Sequence, residues 1–113
     1  MIGILNLQAQ RNATFNQVPF EILIDGDPLD LTGAVIRMQV KKDACSSPVL
    51  TLTSVENDGI TITDAVDGKF KINEQIITIP TCNYEYDIKI TLDSGDVKYY
   101  VGGLFQVVKT ITN

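Results

Sequence analysis

The chain contains no histidine and no tryptophan. Without histidine it lacks the commonest general base, the commonest metal ligand, and any Ser-His-Asp or Cys-His arrangement. Its two cysteines, Cys45 and Cys82, are too few and too far apart in sequence for a structural zinc site. No phosphate-cradling loop is present, because Val101-Gly102-Gly103-Leu104 has neither the spacing nor a following helix. No apolar run approaches the ~18 residues that would span a bilayer, so no membrane partner is expected. The opening Met1-Ile2-Gly3-Ile4-Leu5 has no basic region and no small-residue cleavage site, which predicts synthesis and folding in a cytoplasm. No segment holds helical periodicity over the ~10 residues a helix needs. These absences argue against an enzyme and against a bound cofactor or metal.

Basic residues are also in short supply. Nine Lys and Arg stand against fourteen Asp and Glu, a formal net charge of −5. A surface that tracks phosphates needs a basic patch, so nucleic acid is not an expected partner. Lys41-Lys42 reads as a solvated strand end. Asp25, Asp27 and Asp30 crowd one turn, and oxygen-rich turns can hold calcium. They lack the loop spacing and the distal Glu of a calcium loop, and Pro28 interrupts them, so they read as turn-capping acids. With strands running up and down, Cys45 and Cys82 would lie at opposite ends of the molecule. Two free thiols are therefore expected.

What the chain has is period-2 alternation between turn signals. Ile60 and Ile62 alternate with Thr61 and Thr63. Phe70 and Ile72 alternate with Lys69, Lys71 and Asn73. Tyr84, Tyr86, Ile88 and Ile90 alternate with Glu85, Asp87, Lys89 and Thr91. Successive strand side chains point to opposite faces, so each run has one apolar and one wet face. Residues 14–24 form a long extended segment, with Phe20, Ile22 and Ile24 on one face. Pro19 demotes part of it to an edge or a kink. Ile36, Met38 and Val40 face inward on 34–42, and Leu50 and Leu52 do so on 48–54. Further strands are expected at 75–79 and 97–109. Asp25-Gly26-Asp27-Pro28, Asp67-Gly68 and Asp93-Ser94-Gly95-Asp96 read as turns, and Asn57-Asp58-Gly59 as a strong hairpin signal. Gly102-Gly103 reads as a bulge or a close backbone approach. The 113 residues make a single domain, 1–113, an all-β antiparallel β-sandwich of seven to eight strands.

The tyrosines carry the most specific structural suggestion. A tyrosine opening the penultimate strand can bond its hydroxyl back to the preceding corner, the tyrosine corner of immunoglobulin-like sandwiches. Either Tyr84 or Tyr86 could do so, the other packing in the core; plain core burial of both is the alternative. Tyr99 and Tyr100 are adjacent, so they point to opposite faces, and one should be exposed as an interface anchor. Ile2, Ile4 and Leu5 are more apolar than a free tail, which predicts that the segment 1–12 packs on something, a partner included. The candidate contact surfaces are Ile2, Ile4 and Leu5; the edge around Phe15–Pro19; and the bulge from Tyr99 and Tyr100 to Gly103.

The order of these signals resembles a known group. Gln10-Arg11, Thr14 and Phe15 open the series. Asp30-Leu31-Thr32-Gly33-Ala34 then runs into Ile36-Arg37-Met38-Gln39-Val40. Leu50-Thr51-Leu52-Thr53, Gly59-Ile60-Thr61-Ile62, Asp67-Gly68-Lys69-Phe70 and Tyr84-x-Tyr86-Asp87-Ile88 follow. Gly103, Phe105 and Val107 close it. Over nearly the full length this resembles the small immunoglobulin-like structural domains of tailed bacteriophages and prophages, and is similar to the N-terminal module of baseplate upper proteins. The resemblance implies a virion structural protein, a tail, baseplate or neck component or an accessory adaptor. It would be made in the host cytoplasm and act through contacts with other virion proteins and as a homo-oligomer. It supplies no catalytic residue. A carbohydrate-binding or surface-binding β-sandwich module is the alternative, and would need an exposed aromatic platform or a calcium site.

Overall fold

The computed structural model describes residues 3–43 and 45–109. It is built from strands. The N-terminal half holds β1 (Gly3–Ile4), β2 (Leu7–Gln10), β3 (Thr14–Phe15), β4 (Val18–Glu21), β5 (Leu23–Ile24), β6 (Asp27–Pro28), β7 (Val35–Lys41) and β8 (Leu50–Thr53). A 3-10 turn at Val55–Asn57 leads into β9 (Ile60–Asp64), β10 (Lys69–Ile72), β11 (Gln75–Ile76), β12 (Cys82–Thr91) and β13 (Val97–Val108).

The main sheet has the order β1-β13-β12-β7-β8, with β2 also on β13. A second sheet has the order β4-β10-β9, and β3/β11 and β5/β6 form separate ribbons. One hydrophobic core draws on both larger sheets, with Ile36, Met38, Ile88 and Phe105 from one and Ile60, Phe70 and Ile72 from the other. The alternation read from the sequence places these side chains. Along β12, Tyr84, Tyr86, Ile88 and Ile90 are buried, while Glu85 and Asp87 are exposed. The same holds for Ile36, Met38 and Val40 on β7.

Four expectations need correction. The first is the all-antiparallel sheet. The main sheet is mixed, because β1 and β2 run parallel to β13. First and last strands are joined by no turn, so nothing local imposes an antiparallel direction on them. The second is the strand count, since residues 14–24 break into three short pieces. Asp25 and Gly26 take positive φ of 53° and 86°, making a two-residue hairpin between β5 and β6.

The third is the hairpin at Asn57-Asp58-Gly59. β8 and β9 lie in different sheets, and the bridge between Thr53 and Gly59 is parallel. The chain passes on from one sheet to the other instead of folding back. Glu56 and Asn57, both at φ 55°, spend the positive-φ residues on this crossover. The fourth correction follows from the third. With one reversal missing, β12 runs antiparallel to β7, pairing Glu85 with Lys41. Cys82 at the start of β12 and Cys45 beyond the end of β7 therefore lie toward the same end of the main sheet. Both are free thiols, Cys45 exposed and Cys82 half-buried.

The edge proline and the turns match the sequence reading. Pro19 sits on β4, at the edge of the second sheet. Asp67-Gly68 joins the antiparallel pair β9 and β10, and residues 93–96 turn β12 into β13. Asp30 caps its turn: Oδ1 accepts from the amide and hydroxyl of Thr32 at 2.9 and 2.6 Å, which holds the carboxyl below its usual range. Among the described residues no group of three His, Cys, Asp or Glu is arranged to hold a metal. Among them, too, no helix is long and apolar enough to cross a membrane.

Candidate functional site

The outer face of the main sheet is set by the register of β13 on β12. Leu104 pairs with Glu85, Gly102 with Asp87, Tyr99 with Lys89 and Val97 with Thr91. The register shifts at Ile88/Lys89, leaving Tyr100 as the extra residue. An extra residue in a strand flips the alternation. Tyr99 is consequently turned outward, while Tyr100 packs against the core. The bulge thus lies two residues before the glycine pair.

Gly103 is the close approach. A Cβ there would fall 2.6 Å from the Leu5 carbonyl oxygen and 2.9 Å from Asn6 Oδ1. Its bare backbone admits the N-terminal segment, which is then stitched down. The Leu5 amide donates to the Gly102 carbonyl at 3.0 Å, and the Leu104 amide donates to Asn6 Oδ1 at 3.0 Å. The Tyr86 hydroxyl, reaching from the buried face of β12, donates to the Leu5 carbonyl. Burial pushes the Tyr86 phenol up to about 12, so it remains a donor at physiological pH.

These anchors place Ile4 opposite Gly102, at the side of β13. Gly102 has no side chain, and the face is hollow there. The hollow is an open concavity of about 800 Å³. Ile4, Tyr99 and Leu104 line its apolar side; Lys41, Glu85 and Asp87 line its polar side. Ile4 is 80% exposed, Tyr99 43% and Leu104 41%. Val97 continues the outward apolar line of β13 and is also exposed. A smaller concavity of about 540 Å³ lies on the second sheet, near Gln17, Phe20 and the Glu21–Lys69 ion pair at 3.8 Å.

The residues singled out in the sequence divide. Ile4 and Tyr99, far apart along the chain, meet on one surface, so two of the three expected contact regions are the same one. Leu5 is exposed at the kink beside them. Ile2 lies outside the described residues. Tyr100 is half-buried and faces the core. Phe15 is a correction: it is buried, its ring 5.6 Å from that of Phe105, and it is not presented at the surface. Alternation turns its side chain inward although β3 is a two-residue strand at the molecule's margin. The segment 1–12, where described, packs along β13 of its own chain.

Leu104, Glu85 and Asp87 were missed. Their signal was in plain view: each is the outward member of a strand whose inward members, Phe105, Tyr84 and Tyr86, drew the attention. The arrangement offers a contact surface, apolar on one side and charged on the other. No protein-family model matches the chain, and no curated protein sequence does.

Proposed function

We propose that the chain is an immunoglobulin-like β-sandwich serving as a structural component of a tailed-bacteriophage virion, assembled through protein–protein contacts. The ordered motifs of the sequence point there. The fold supports the reading by its strand order and by a tyrosine-corner bond: the Tyr84 hydroxyl donates to the Pro80 carbonyl at 2.6 Å, just before β12.

The observation that carries the assembly role is the outward apolar line of β13. Ile4, Tyr99 and Leu104 line a glycine hollow, and among the described residues all three count as exposed. An exposed apolar patch rimmed by polar residues is a mark of an interaction site. Other virion proteins and further copies of the chain are the partners this reading names, and no cofactor enters it.

The test is mass spectrometry of cross-linked, purified particles from a producing strain. The reading expects the chain in the particles, with cross-links from Lys41, Lys89 or Lys98 to neighbouring virion proteins. Particles that lack the chain would overturn it. Glycan binding by the purified protein, lost on Tyr99→Ala, would instead favour a carbohydrate-binding module.

A further inference from the structure

We infer that the outer face of the main sheet pairs with the same face of a second copy, about a two-fold axis crossing the strands at Gly102 and Asp87. The inference rests on the reading of the chain as an assembly part and names one of its partners. The face is a grid. One row holds Lys41, Glu85 and Leu104; the next holds Gln39, Asp87 and Gly102; the third holds Arg37, Lys89 and Tyr99. Since Tyr100 is a bulge, Tyr99 and Leu104 stand equally far from Gly102, about 7 Å along the strand on either side.

An axis in the plane of the face and across the strands exchanges the first and third rows. Leu104 then meets Tyr99 of the second copy, and Glu85 meets Lys89 of the second copy, each contact being made twice. The two Gly102 positions face each other, where the missing side chains allow close approach, and the exposed Ile4 of each copy caps the hollow. An axis along the strands, over β12, would instead set Glu85 against Glu85 and Lys41 against Leu104. Only the first arrangement brings opposite charges together, as the two Glu85–Lys89 contacts, and it is favoured over the second on that ground.

Two features keep the pairing weak. The face measures roughly 20 Å by 19 Å from the strand spacings, about 400 Å² flat, half of what a standard interface buries per partner. The chain also carries a net charge of −5, so copies repel. Asp87 meets itself on the axis. Arg37 and Lys41 face each other at the β7 margin, where long side chains reach solvent. The expected dissociation constant is of micromolar order, relevant where many copies are held together.

Sedimentation velocity of the full chain from low micromolar to millimolar concentration tests this, with circular dichroism to verify each variant's fold. A reversible monomer–dimer equilibrium is expected. Leu104→Glu abolishes it. Glu85→Lys weakens it about fivefold or more, and adding Lys89→Glu to that variant restores it. Asp87→Asn tightens it by relieving the repulsion on the axis. A chain that stays monomeric to millimolar concentration overturns the pairing, as does a dimer indifferent to Leu104→Glu or unrestored by the double swap. Neither result bears on whether the chain is found in purified particles, so the two readings fail separately.

Discussion

The Tyr84 hydroxyl and the Pro80 carbonyl, four residues apart, are joined by a hydrogen bond of 2.6 Å. The bond ties the approach to β12 onto the strand itself and satisfies a proline carbonyl where no ladder reaches it. Tyr84→Phe removes the donor and leaves the ring. A loss of about 1 kcal/mol is expected, the usual net worth of such a bond. It would be read as a lower urea midpoint at unchanged slope. An unchanged midpoint would mean that water replaces the hydroxyl at no cost.

Tyr86 makes the longer reach, to Leu5 at the far end of the sequence. Its phenol is raised by burial to about 12, against an ordinary value near 10. The folded state therefore holds this proton more tightly than the unfolded chain. The stability it contributes is complete below pH 10 and is lost as pH climbs from 10 through 12. Tyr84 is also raised, by burial first, and acts with the same sign. Urea titrations between pH 8 and 12 should show stability falling less steeply in Tyr86→Phe than in the parent. That variant should also lose amide protection at Leu5 while keeping it in the middle of β12, because its missing donor frees the N-terminal segment first.

The strands were largely legible because alternation is a local property. Tyr84 to Ile90 on β12 and Ile36 to Val40 on β7 lie where a period of two puts them. A tyrosine bonding back to the segment before β12 was legible only as one of two residues, with core burial of both as the alternative; the structure gives the Pro80 bond to Tyr84 and a different partner to Tyr86. What could not be read locally was direction. Asn57-Asp58-Gly59 has the composition of a hairpin, yet Leu52 and Ile60 on either side are both buried in the one core from different sheets. Burial in one core from two different sheets decides that the chain crosses there, and turn chemistry does not encode it. The parallel docking of β1 and β2 on β13 is hidden for a similar reason: its partners are about a hundred residues apart. Half of the contact surface was visible in Ile4 and Tyr99. The rest depended on knowing which strands are neighbours.

Phe15 and Tyr99 were grouped by the sequence as contact residues, and the structure separates them. Phe15 is buried against Phe105, whose ring also lies 6.5 Å from Tyr86 in an edge-on arrangement. Phe15→Ala should destabilise the monomer by about 3–5 kcal/mol, as removal of a core aromatic does. Ile4→Ala and Tyr99→Ala remove exposed side chains and should change stability by no more than about 0.5 kcal/mol. Thermal and chemical melts of the three variants decide the matter. Equal losses would place Tyr99 in the core and dissolve the outer surface described above.

Gly103 gives the sharpest test of how the N-terminus is held. The Leu5 carbonyl occupies the space a Cβ would need, at 2.6 Å, and that oxygen belongs to backbone, which cannot swing aside as a side-chain tip can. Gly103→Ala must push residues 3–6 away from β13. That costs the Leu5–Gly102 and Asn6–Leu104 bonds together with Tyr86's acceptor. A destabilisation of about 1–3 kcal/mol is expected, the range for forcing an extra carbon into a filled space. Gly102→Ala is the control. Its Cβ would stand 3.1 Å from the Tyr86 carbonyl, a smaller intrusion, and would point into the hollow of the outer face. It should cost less stability than Gly103→Ala and leave the Leu5 and Leu104 amides protected from hydrogen exchange. If both alanines loosen the N-terminal strand alike, Gly103 has no special role in admitting it, and the placement of Ile4 beside the hollow loses its structural cause.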